Sequence, residues 1–161
     1  MRRSLEAIAL AAFAIMIWIT WSAVYGPDRL HGPIPTHFNV SGNPDHWGDP
    51  GSLLLLPAVT LALYLAISLV AAFPAAFSYP VRVTAENRPR LQALALKMVA
   101  CLKVELVCLF TWIQWAIIET VRQGRGSLPA ALVPVGIGTV FATILGFIVA
   151  IVRAGPARKT G

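Results

Sequence analysis

The chain has 161 residues, of which 57% are hydrophobic and 12% charged, and a formal net charge of +6. A soluble domain carries about 25% charged residues, so an ordinary water-soluble fold is excluded. The positive charge does not mark a nucleic-acid binder either, because the basic residues lie at the ends of apolar runs and not along one face.

Four apolar runs, at about residues 5–25, 53–77, 91–121 and 130–152, are long enough to cross a hydrocarbon core of about 30 Å as helices. They use most of the chain. The expected fold is therefore an all-α integral membrane protein, with 1–161 as a single membrane domain. Four transmembrane helices form a bundle, and an ordered Pro/Gly-rich outer loop joins the first two. The lipid bilayer is the principal partner. The first run follows Arg2-Arg3 and exceeds the core of a signal peptide, roughly 7–15 residues. Trp18, Trp21 and Tyr25 suit an interfacial anchor at its end. An uncleaved helix is expected.

The outer loop, residues 26–52, is dense in proline and glycine, which excludes a long helix. It is not a solvated linker, because Ile34, Phe38, Val40 and Trp47 are apolar. A compact loop resting on the helix ends fits better. Thr36-His37-Phe38-Asn39-Val40 reads as a short extended segment, and Ser41-Gly42-Asn43 as the turn that follows. Trp47 is expected to be largely buried, plugging the loop onto the bundle. Asn39-Val40-Ser41 matches a glycosylation sequon but reads as a turn.

His31, His37 and His46, with Asp28, Asp45 and Asp49, place possible metal ligands close together in sequence. Their spacing matches no standard zinc site, and no cysteine pair accompanies them. No metal is expected. His37 and Asp45 are expected instead to hydrogen-bond the loop backbone.

The second run repeats small residues at Ala58, Ala62 and Ala66, and the fourth at Gly138, Ala142, Gly146 and Ala150. Small faces of this kind allow close helix packing in lipid. They are candidate seams of the bundle, or of a homo-oligomer. Pro89 falls where a first helical turn tolerates proline. The third run exceeds the membrane thickness, and its first turns, up to about Lys97, are expected among the headgroups.

The third run also carries intramembrane Lys103 and Glu105. Two residues apart, they face roughly opposite sides of a helix. Glu105 shares a stripe with Cys101, Cys108 and Trp112; Lys103 lies with Phe110 and Gln114. Two readings stand. Glu105 is a proton or cation site; or Lys103 reaches the inner headgroups while Glu105 bonds a neighbouring helix. The cysteines, about 10 Å apart along the axis, are too distant to pair with each other.

Eight basic residues (Arg2, Arg3, Arg82, Arg88, Arg90, Arg153, Arg158 and Lys159) fall on the side of the termini, against Arg29, Arg122 and Arg125 on the other. By the positive-inside rule both termini are cytoplasmic. No phosphate loop, nucleophile elbow or framed carboxylate pair is present, so no catalytic residue and no cofactor is expected.

One resemblance adds to this reading. Pro35-x-His37-Phe38-Asn39-x-x-Gly42-x-Pro44-Asp45-x-Trp47-Gly48, set between two membrane helices, resembles domain of unknown function 1648, over roughly residues 15–65. That domain forms the N-terminal part of SdpI-like proteins. The resemblance implies a bacterial inner (plasma) membrane protein, and an association with immunity to a secreted peptide toxin or with signalling. Asp49-Pro50 departs from the Ser-Lys that often follows the motif, and the further SdpI helices have no counterpart. The reading is a non-enzymatic binding or sensing role at the outer face. His37, Asn39, Asp45 and Trp47 form the contact surface toward an extracytoplasmic peptide or another membrane protein. The alternatives are a small proton- or cation-translocating component using Glu105 and Lys103, and, third, a metal-dependent membrane enzyme.

Overall fold

Proline and glycine set the ends of the apolar helices. The computed structural model describes residues 2–39, 41–124, 126–129 and 131–155. In chain order these form α1 (Arg2–Tyr25), β1 (Ile34–Phe38), β2 (Pro44–Gly48), α2 (Leu55–Ala72), α3 (Arg88–Arg122) and α4 (Leu132–Arg153), with 3-10 turns at Pro50–Leu54 and Pro74–Ala76. Val40, Ala130 and three residues of the charge asymmetry, Arg125, Arg158 and Lys159, lie outside the described residues.

The second helix ends at Ala72 and not near residue 77. Pro74 disfavours helical backbone in the residue before it, and Phe73 leaves the helix at φ −117°, ψ 60°. At the start of α3, the Asn87 side chain accepts from the Thr84 backbone N–H at 2.7 Å. The Thr84 hydroxyl accepts from the Asn87 N–H at 3.3 Å. Pro89 then occupies the first turn, where its missing N–H leaves no bond unmade.

The expectation of an all-α chain needs correcting, because β1 and β2 pair as an antiparallel hairpin. The extended segment begins at Ile34, and Pro44-Asp45-His46-Trp47-Gly48 supplies the second strand. Two strands of five residues are too short for a periodic signal in so proline-rich a stretch.

Helices α1, α2 and α4 gather around α3, while α1 and α2 barely touch each other. Glu6 meets Lys103 and Thr20 meets Gln114, so α1 runs in the same direction as α3. Ser68 meets Lys103 and Leu53 meets Gln114, so α2 runs against it. Leu91 at the start of α3 packs with Ile151 at the end of α4, which also runs against it. Three spans among the described residues, Arg3–Tyr25, Pro50–Ala72 and Pro134–Arg153, are long and apolar enough to cross a membrane. The central helix α3 is not among them. Its apolar character is diluted by Lys97, Lys103, Glu105, Gln114 and Glu119.

Apart from half-buried Ala150, the small-residue stripes are not seams within the chain. Ala58, Ala62 and Ala66 are exposed, as are Gly138, Ala142 and Gly146. The close approach of α4 to α3 occurs instead at buried Gly136, where a Cβ would clash with the Leu109 side chain. Both cysteines are free thiols.

Candidate functional site: a hairpin and the cleft beneath it

The hairpin turn is built by one side chain. The Asn39 carboxamide oxygen accepts from the backbone N–H of Ser41 at 2.9 Å and of Asn43 at 3.1 Å. Gly42 follows at φ 79°, a left-handed conformation that glycine adopts without steric cost. Its carbonyl accepts from Leu128 N–H at 3.0 Å, tying the tip of the hairpin to the α3–α4 connection. Asn39 is thus a turn-former as well as a surface residue. At the other end Asp49 caps the 3-10 turn, accepting from Gly51 N–H at 2.8 Å.

Ile34 is fully buried and anchors the hairpin among Ala23, Leu30, Leu53 and Ile118. Trp47 does not share that role. It is 58% exposed, against the expectation that it would plug the loop. Leu30, Ile34 and Leu53 already meet the apolar demand of the interface, and the pairing of Trp47 with Pro35 leaves its ring in the open.

The strand register is irregular on both sides of His37. Phe38 pairs with Pro44 and His37 with His46, so Asp45 is an extra residue on β2; Thr36 is the matching extra residue on β1. A bulge sets two consecutive residues against one and re-aims their side chains. Here Asp45 and His46 both reach His37. Asp45 Oδ1 lies 2.5 Å from His37 Nδ1 and 3.4 Å from His46 Nδ1. The two rings stand edge to face with centroids 5.8 Å apart. Hydrogen bonding by His37 holds the Asp45 carboxyl below the ordinary carboxylate range; partial loss of hydration opposes this, and His46 adds to it. Among the described residues His37 and Asp45 therefore bond each other, and not the loop backbone as expected. His31, Asp28 and Asp49 are not part of this group.

Beneath β1 lies an open cleft of about 380 Å³. Ile34 and Phe38 of β1, Leu56 and Val59 of α2, and Ile113 and Ile117 of α3 give it an apolar lining. His37, Thr36 and Ser52 also border it. Gln114 is the polar group on its α3 wall, and it is fully buried. Its amide nitrogen donates to Thr20 Oγ1 at 2.8 Å and to the Leu53 carbonyl at 3.0 Å. The Thr20 hydroxyl itself donates to the Met16 carbonyl at 2.7 Å, so it can only accept from Gln114. These bonds fix which end of the amide is which. The Gln114 carbonyl oxygen is left without a partner, an arrangement that costs free energy unless a donor arrives.

The intramembrane pair also takes definite partners. Lys103 is 5% exposed and lies 2.5 Å from Glu6 Oε1. It also donates to Ser68 Oγ at 3.2 Å and stands 4.5 Å from the centroid of the Tyr64 ring, whose hydroxyl donates to Glu6 Oε2 at 2.8 Å. It does not reach for headgroups. Its charge is balanced inside the helix cluster. Glu105 accepts from the Thr143 hydroxyl on α4, which is the neighbouring-helix bond considered for it, and its second oxygen is buried without a partner. Sequence reasoning missed Glu6, Tyr64, Ser68 and Thr143 as partners. A polar residue in an apolar run signals that a partner exists but does not say which.

With this geometry in view, comparison with known families is informative for one segment. Residues 8–61 match the domain of unknown function DUF1648. The DUF1648 segment takes in most of α1, the whole hairpin and the first two turns of α2, so it contains every residue of the His–Asp–His group. Helices α3 and α4, with Lys103, Glu105 and Gln114, lie beyond it. No curated protein and no solved structure matches the chain.

Proposed function

We propose that the protein is a non-enzymatic binding or sensing component of the bacterial inner membrane, acting through the hairpin and its cleft. All four helices cross the bilayer in this reading, with both termini cytoplasmic and the hairpin outside. Support for four crossings comes from the alternating helix directions. It also comes from the partnering of Lys103 and Glu105 by other helices, which makes α3 tolerable in lipid.

The observation that carries the functional reading is the cleft. Its volume of about 380 Å³ suits a ligand-sized apolar group, and the Thr36 and Ser52 hydroxyls at its border are able to accept hydrogen bonds. The ligand class is an apolar segment bearing a hydrogen-bond donor. A peptide meets both conditions, because its backbone N–H groups donate. The resemblance of the loop motif to SdpI-like proteins makes a secreted, envelope-active peptide the first candidate.

The test is protection. A peptide-sensitive bacterial host expressing the full chain is challenged with such a peptide. Survival above the empty-vector control is expected, and Ile113→Trp, which fills the cleft, should remove it at unchanged membrane abundance. Survival equal to empty vector ends the immunity reading.

A second reading rests on Glu105, whose unpartnered buried oxygen is able to accept a proton or a cation. Reconstituted protein would then carry a proton or cation flux that Glu105→Gln abolishes while Ile113→Trp does not.

A further inference from the structure

His37, Asp45 and His46 are brought together by a specific distortion of the hairpin. In a regular strand, consecutive residues such as Asp45 and His46 point to opposite faces. The extra residue on β2 is Asp45 itself, lying between the partners of His37 and Phe38, and the compensating extra residue on β1 is Thr36, next to His37. Bulges of this kind commonly re-aim side chains at functional positions. The result is one nitrogen from each imidazole and one carboxylate oxygen, all within 4.8 Å of one another.

The exposed His37–Asp45 pair adds only modestly to stability, because ordering side chains in solvent opposes it. The donor set has another use. Two imidazoles and a carboxylate are the ligands that zinc takes in sites with three protein donors, and a water completes the tetrahedron. Ligand atoms about 2.0–2.1 Å from a tetrahedral centre lie roughly 3.3 Å apart. The three side chains are exposed; Asp45 Oδ1 and His46 Nδ1 already lie 3.4 Å apart, and the His37–Asp45 pair at 2.5 Å would open by roughly 1 Å to admit the ion.

We propose that His37, Asp45 and His46 form a binding site for a divalent transition-metal ion, with zinc as its type ion. The hairpin supplies three ligands, and the fourth position is open to water or to a group on an incoming molecule. Imidazole nitrogen selects such ions over magnesium and calcium, which favour all-oxygen sites. The proposal stands on the hairpin alone and is independent of the cleft.

The test uses the full chain, purified in detergent without a histidine tag and stripped with a chelator. Calorimetric titration with zinc chloride is expected to show one saturable site per chain, with no comparable response to magnesium. His37→Ala, His46→Ala and Asp45→Asn should each weaken binding by at least about tenfold. His31→Ala and the Cys101→Ser/Cys108→Ser pair should leave it unchanged. Cobalt should give the absorption of a four-coordinate ion, lost in His37→Ala. Helical circular dichroism shows whether each variant is folded, and His46→Gln replaces His46→Ala if the latter is not. Absence of saturable zinc binding to the unmodified chain overturns the proposal. So does zinc binding that survives in a folded His37→Ala/His46→Ala double variant.

Discussion

The Lys103 ammonium lies 2.5 Å from the Glu6 carboxylate, joining the middle of α3 to the first turns of α1. Ser68 and Tyr64 of α2 join the group, so three helices meet at one partly buried charge pair. In an apolar interior such a pair is poor as a source of stability but costly to break. Lys103→Met removes the ammonium that lies against Glu6. The expected loss is at most about 3 kcal/mol, the lower end of the range for breaking buried pairs, because Glu6 is partly exposed and keeps its bond with Tyr64. Glu6→Gln combined with Lys103→Met should recover most of it. Thermal unfolding of the two single variants and the double variant in detergent measures the coupling; additive losses would show that the pair does not act as one unit.

Gln114 makes a contrasting prediction. Gln114→Leu deprives the Leu53 carbonyl of its donor, which by itself costs about 1–3 kcal/mol. The same change removes the unpartnered amide oxygen, which offsets part of that cost. The net loss should be about 1 kcal/mol. A loss of 3 kcal/mol or more in thermal or denaturant unfolding would mean that the oxygen is bonded after all.

The hairpin is held by Ile34 and not by Trp47. Ile34→Ala empties a fully buried position and should cost about 2–5 kcal/mol. Trp47→Ala changes an exposed side chain and should stay within about 0.5 kcal/mol of the parent. Proteolysis of the hairpin under native conditions should accelerate for the first variant alone. Equal sensitivity of the two would place Trp47 in the interface.

Asp45 gives the hairpin a pH dependence of defined sign. Its carboxyl is held below the ordinary range, chiefly by the bond with His37. A group lowered on folding stabilises the folded state fully above its unfolded pKa of about 3.9. That contribution fades as pH falls through the lowered folded value. Hairpin order should therefore weaken on the acid side of about pH 4, and Asp45→Asn should flatten this part of the profile. Amide exchange of the strand residues across that range is the measurement. A profile unchanged by Asp45→Asn would remove the assigned cause.

Much of the local structure is legible in the residues themselves. Apolar runs mark where the helices lie, although among the described residues only α1, α2 and α4 carry spans long and apolar enough to cross a membrane, and Pro89 marks the start of α3. Ser41-Gly42-Asn43 marks the turn, because glycine's freedom at positive φ and the reach of an asparagine side chain are local properties. The stop at Pro74 was equally local, although apolar length by itself overran it. What tertiary structure decided is who meets whom. Glu6 and Lys103 are 97 residues apart, and nothing near either names the other. Rotation of each helix about its axis turned the alanine and glycine stripes outward and left Gly136 to make the close contact with α3. In the hairpin, one extra residue on each strand decided that Asp45, His46 and His37 converge while Trp47 stays exposed. A one-residue change of register redirects every side chain that follows, and that register is set by pairing between strands, which composition and spacing do not encode.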